Sequence, residues 1–283
     1  MFKICKHQLL LAFSTPKTYI AIFIGCAMQI ISLMPLLDLS KEIKRPLCIF
    51  EGYIYFCCDT YIISAAFLGM VLLISEIPFS TKNEAYTLLR GSRRQWTLGK
   101  ILYLFSITVI YYFIVMIVGM IFMAENAYIA NFWSEPICFL AKNPNNVNLT
   151  VFFPYKHLLL ITPLKAIVIS LALNVSYGFV MSLLIFLLSL KISRSLSYVY
   201  SMMVHVIGYI IAALFISLDS KKYSILAHSL LMYHDVQKYY ENILPTFWES
   251  FMVFGFLTVI LTILILRKIS NYDFKIVTEE KDA

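Results

Sequence analysis

Six stretches of the chain run apolar for about twenty residues or more, the length a helix needs to cross the hydrocarbon core of a bilayer. They cover residues 19–37, 53–77, 101–123, 166–190, 198–218 and 247–266. Irregular backbone facing lipid would leave amides and carbonyls without partners, so the pattern predicts a helix for each stretch. The expected fold class is therefore an all-α membrane protein with six transmembrane helices. It forms a single domain over residues 1–283: a surface segment at 1–14, the spans within 19–266, and a polar tail at 267–283.

The polar stretches between the spans carry their own pattern. In residues 1–14, Phe2, Cys5, Leu9, Ala12 and Phe13 fall on one face at helical spacing, and Lys3, Lys6, His7 and Ser14 on or near the other. An amphipathic helix of this kind lies in the membrane interface, apolar side down. Ser14-Thr15-Pro16 then breaks it, with proline suited to the first turn of the next helix. Between the second and third spans, Thr81-Lys82-Asn83-Glu84 has the form of a capping box, in which hydroxyl and acid satisfy free amides at a helix start. A short helix from Lys82 to Arg90 is expected there, stopped by Gly91. Ser92-Arg93-Arg94-Gln95 repeats the capping form and leads into the third span. Arg93 and Arg94 sit at the positive end of that helix, where a cation is unfavourable, so an acidic partner or lipid phosphate is expected nearby. Residues 125–157 read as an irregular outer loop. In 219–245, Tyr223, Leu226, Leu230 and Tyr233 recur at helical spacing and predict a short helix folded onto the outer surface.

Charge orients the spans. Of the 23 lysines and arginines, 14 fall on the side that carries both termini and 9 on the other, where the loops are longer. Cytoplasmic loops carry the excess of basic residues, which puts both termini inside. Only 14% of the chain is charged against 60% hydrophobic, too little charge to cover a water-facing surface. The net charge of +7 follows from the same topology rule, and no soluble basic domain is present to hold a nucleic acid. Nothing at the N-terminus reads as a cleavable signal. The six cysteines lack metal-ligand spacing; Cys48 and Cys138 fall on the outer side, where they are the candidates for a disulfide.

Polar residues within the spans each need a reason, since a charge at mid-helix costs about 2.5–3.5 kcal/mol on insertion scales. Asp59 lies within the second span, and Lys165 at the outer end of the fourth is at a depth to pair with it. The competing role for Asp59 is contact with a cationic or peptide substrate. His205 and Asn174 are expected to hydrogen-bond between helices, with the same pathway role as the alternative. His228 and His234 lack a cysteine or carboxylate cluster at zinc spacing. Glu249 is expected to snorkel to the outer interface. Tyr53, Tyr55, Tyr103, Tyr111, Tyr112, Tyr198 and Tyr200 cluster at span ends and read as an interfacial aromatic belt.

Taken together, the amphipathic start, the six spans, the helical loop after the second and the folded outer loop before the sixth resemble the permeases of type-2 ATP-binding-cassette (ABC) exporters. The most specific part is the run Glu84, Thr87, Leu88, Leu89, Ser92-Arg93-Arg94 and Gly99-Lys100. It is similar to the family's pattern of an acid, Gly-Thr, Leu-Leu, Ser-Arg and Gly-Lys, although Ala85-Tyr86 stands where a glycine is usual and no proline precedes Ser92. The resemblance implies that Glu84, Thr87, Leu88, Leu89, Arg90, Arg93 and Arg94 couple the spans to cytoplasmic ABC ATPase subunits, which bind the ATP and Mg. It implies a second permease copy or paralogue, with spans 2 and 5 lining the interface, in a bacterial cytoplasmic (inner) membrane. This chain has no phosphate-binding Gly-x4-Gly-Lys-Ser/Thr loop and is expected to carry no cofactor and no enzymatic activity of its own.

The expected function is export of a peptide, drug or lipid-like substrate. The alternatives are a stand-alone secondary transporter or channel, for which Asp59 is the coupling candidate, and an intramembrane enzyme, for which no His-Glu-x-x-His pair is present.

Overall fold

The computed structural model describes residues 1–75, 92–142, 160–214, 219–236 and 244–270. Its chain folds as α1 (Phe2–Phe13), α2 (Pro16–Ile43), β1 (Leu47–Cys48), α3 (Glu51–Phe56), α4 (Thr60–Leu73), α5 (Arg93–Met123), β2 (Ala127–Tyr128), α6 (Glu135–Lys142), α7 (Pro163–Ser189), α8 (Arg194–Ala213) and α9 (Phe247–Ser270). Among the described residues, α2, α5, α7, α8 and α9 are each long and apolar enough to cross a membrane, and α4 is a shorter apolar helix.

These helices start where local chemistry tells them to. Pro16 opens α2, where its fixed φ suits a first turn and its missing N–H is not needed. Ser92 caps α5, its hydroxyl accepting from the Gln95 amide at 3.2 Å. Thr246 and Glu249 form a reciprocal box at the start of α9: the Glu249 carboxylate accepts from the Thr246 amide at 2.7 Å, and the Thr246 hydroxyl accepts from the Glu249 amide at 3.3 Å. Glu249 therefore serves the helix terminus rather than simply reaching for the interface.

α7 is the central helix, packed against α3, α5, α8 and α9, while α2 packs on α4 and α5. The outward faces stay apolar. Along α9, Trp248, Met252, Phe256, Val259 and Ile263 are exposed, as are Val199, Met203, Val206 and Ile207 along α8. Contiguous apolar surface on this scale marks contact with lipid or another chain, not with water.

The tyrosines expected as a belt are mostly core. Tyr53, Tyr55, Tyr103, Tyr111 and Tyr112 are buried, and of that set Tyr200 is half-exposed. Tyr111 explains why: its hydroxyl donates to the Ala66 carbonyl of α4 at 2.5 Å, which satisfies the polar end inside the bundle. The outer segment before the last helix also differs from expectation. Among its described residues it makes not an α-helix but short 3-10 helices, at Asp219–Tyr223, Ala227–Ser229 and Leu231–Tyr233. Leu226, Leu230 and Tyr233 are buried as their spacing suggested, whereas Tyr223 is exposed. Within the loop expected to be irregular, α6 forms and β2 pairs in parallel with β1, Leu47 opposite Ala127 and Cys48 opposite Tyr128.

Candidate functional site

The expected second span is not one helix. α3 ends at Phe56, and α4 begins at Thr60. The Cys57 and Cys58 amides donate back to the Tyr53 and Tyr55 carbonyls, each at 3.0 Å, closing the first piece. Asp59 opens the second: its carboxylate accepts from the Tyr61 amide at 2.8 Å and the Ile62 amide at 3.1 Å. This is an N-cap, and it places a negative group at the positive end of a helix. The Asp59–Lys165 ion pair is accordingly absent, and Lys165 is exposed. Replacing Asp59 by Ala removes the cap and is expected to lower stability by about 1 kcal/mol, whereas Asp59→Asn, an equally good cap, stays near wild type. Thermal unfolding of the two variants in detergent checks this; equal losses would remove the cap from the account.

Polar groups gather around the break. Asn174 of α7 donates from Nδ2 to the Cys57 sulfur at 3.2 Å and to the Ser170 carbonyl at 2.9 Å. The Tyr53 hydroxyl lies against Cys57 and Asn174. About two turns along α4, Phe67 stacks on His205 of α8 with ring centroids 4.3 Å apart, and His205 Nδ1 meets the Tyr177 hydroxyl at 2.6 Å. His205 Nε2 is buried with no hydrogen-bond partner. Asn174 and His205 thus make the interhelical bonds expected of them. Asp59, Asn174 and His205 surround the same stretch of chain, 57–67, without touching one another.

The end of the bundle that carries Met1 and Ser270 is held by basic side chains. Arg93 Nη1 donates to the Ser270 carbonyl at 2.5 Å, at the negative end of α9. Arg194 reaches the Ser75 carbonyl through Nε at 2.8 Å and also through Nη2, while the Tyr198 hydroxyl donates to the Ile74 carbonyl at 3.2 Å. The acidic partner expected for Arg93 is thus the C-terminus of a neighbouring helix, whose unsatisfied carbonyls carry partial negative charge. Arg94 is exposed. Glu84, Thr87, Leu88, Leu89 and Arg90, with the expected capping box at 81–84, lie outside the described residues.

α1 is fastened to the same end. Its Cys5, Gln8 and Ala12 are buried against α5, with Leu9 and Phe13 packed alongside, so the apolar face that was expected to meet lipid meets protein. Phe2 and Leu10 point away. The contact is built by Gly99 and Lys100: a Cβ at Gly99 would come within 2.9 Å of the Ile4 side chain, and buried Lys100 donates to Gln8 Oε1 at 2.8 Å. Its ammonium also lies 5.7 Å from the centre of the Trp96 ring.

At the opposite end sits a buried carboxylate that the sequence pattern did not single out. Glu51, fully buried at the start of α3, accepts from the Cys48 amide at 2.9 Å and the Ser134 amide at 2.6 Å. It thereby ties β1 and the start of α6 to the top of the broken span. Cys48 and Cys138 are both free thiols, and the Cys48 thiol donates to the Ala130 carbonyl at 3.1 Å.

The apolar helices, their lipid-suited faces and the polar groups held inside define a membrane-embedded, multi-pass, all-α protein. No protein-family model matches the chain, and comparisons with curated proteins and with solved structures likewise find no match.

Proposed function

We propose that the chain is the permease subunit of an ATP-driven exporter of the type-2 ABC kind, working with cytoplasmic ABC ATPase subunits and a second permease copy or paralogue. In this reading α3 and α4 together make the second of six spans, both termini are cytoplasmic, and the membrane is a bacterial inner membrane. The observation that carries the proposal is the fastening of an amphipathic helix across the start of α5. It occurs at the end of the bundle where residues 76–91 leave α4 and return at Ser92. The Gly99-Lys100 pair that contributes to the family resemblance builds this contact. α1 lies on the rim that also carries Ser75 and Ser92, where soluble subunits would dock, and exposed Arg94 adds charge there. Peptides, drugs and lipid-like molecules are the substrate class suited to such an exporter.

The break at 57–59 with its capped carboxylate favours a second reading, a self-sufficient secondary transporter, since discontinuous helices are where such proteins hold ions and substrates. Purification of the tagged chain from its host in mild detergent, followed by mass spectrometry, separates the two. A stoichiometric nucleotide-binding subunit, lost on Arg94→Glu while the bundle stays folded, is the expected result. A clean preparation without an ATPase overturns the exporter reading in favour of the transporter.

A further inference from the structure

The 3-10 segment before α9 brings two histidines onto one serine. His228 Nδ1 lies 2.7 Å and His234 Nε2 2.8 Å from the Ser250 hydroxyl oxygen in the first turn of α9. Each ring commits its other nitrogen to a backbone carbonyl, His228 Nε2 to Lys222 at 2.9 Å and His234 Nδ1 to Leu230 at 3.0 Å. All three residues are buried.

Counting hydrogens shows what this arrangement lacks. A carbonyl only accepts, so His228 Nε2 and His234 Nδ1 must carry the ring protons. A neutral imidazole has one N–H, which leaves His228 Nδ1 and His234 Nε2 both as acceptors. Both face a hydroxyl that has one hydrogen to give. Four contacts need four hydrogens, and the neutral trio supplies three. A single extra proton on either ring completes the set: the protonated ring donates to the Ser250 oxygen, and the hydroxyl donates to the other ring. The two completed forms interconvert when one N–H hydrogen passes to the serine oxygen as the serine hydrogen passes to the far ring, with no net change in charge.

We propose that His228, Ser250 and His234 form a binding site for one proton, shared by the two imidazoles through the serine hydroxyl. The site sits between the outer segment and the last helix. Among the described residues, the titratable groups around it are Glu249 on α9, whose carboxylate acts on His228, and Lys221, Lys222, Tyr233 and Asp235 on the outer segment. Tyr177 of α7 faces it across the Phe254 ring, which contacts both Tyr177 and His228. Lys221 is turned away, donating to the Ala212 carbonyl over the Tyr233 ring. Burial lowers His228 and pushes His234 down to about 3, with the neighbouring His228 adding to the second effect. The Lys222 carbonyl and Glu249 hold His228 up, so the proton enters on the His228 side as the pH falls.

The test is nitrogen-15 NMR of the full chain, labelled at histidine and held in lipid nanodiscs, titrated from neutral to acidic pH. The expected result is one proton taken up by the pair, with His228 and His234 signals moving together and the stated tautomers on the neutral side. Ser250→Ala separates the two signals. His234→Gln sets a neutral N–H donor against Ser250, supplies the missing hydrogen, and lowers the proton affinity of His228 by about tenfold, one pKa unit. Independent titration of the rings in the unaltered protein overturns the proposal, as does the opposite tautomer on either ring or a pair that takes up no proton before the protein unfolds in acid.

Discussion

Replacing Glu51 by Ala is expected to destabilise the protein by about 2–6 kcal/mol, because it strands two buried amides at about 1–3 kcal/mol each. Those amides belong to Cys48 and Ser134, so the loss falls on the cap formed by β1, β2 and α6. Glu51→Gln keeps one acceptor oxygen and turns an N–H group toward the other amide, so an intermediate loss is expected. Unfolding of wild type, Glu51→Ala and Glu51→Gln in detergent measures both losses. Equal stability of the three proteins would remove Glu51 as the tie between β1 and α6.

The second large effect lies where α2, α4 and α5 meet. A Cβ at Gly69 would stand 2.6 Å from the Ala21 carbonyl oxygen and 2.6 Å from the Tyr111 hydroxyl. The first is backbone of α2, and the second is fixed by its bond to Ala66, so neither neighbour can yield cheaply. Gly69→Ala should cost about 1–3 kcal/mol, and Gly69→Val about 3 kcal/mol or more, by forcing α2 and α4 apart. The double variant Gly69→Ala, Tyr111→Phe removes one of the two clashes and should recover part of the loss. No recovery would put the whole effect on the α2 backbone.

Much of the fold was legible because the spans obey a simple rule of apolar length, and their starts carry explicit signals at Pro16 and Ser92. The same logic would have found more than it did. Asp59-Thr60 before an apolar run is an N-cap signature and marks the break, but the surrounding hydrophobicity made 53–77 read as one helix. Thr246-Phe247-Trp248-Glu249 is a capping box, and it assigns Glu249 without recourse to the membrane. Other features were out of reach. Tyrosines near span ends look alike whether they face headgroups or a neighbouring carbonyl, and partners such as Ala66 for Tyr111 are set by helix packing. A single carboxylate such as Glu51 has no local pattern, since its ligands come from residues 48 and 134. The histidine pair was readable as two residues but not as a site, because Ser250 joins them only after the outer segment folds onto α9.

The arginine contacts at the terminal end bear on how the chain is made. Arg194 closes a carbonyl 119 residues before it, and Arg93 is closed by one 177 residues after it. During synthesis α4 therefore waits for the start of α8, and α5 for the last residues of α9. Until translation has passed Ser270, the nascent bundle lacks the bond that ties the start of α5 to the end of α9.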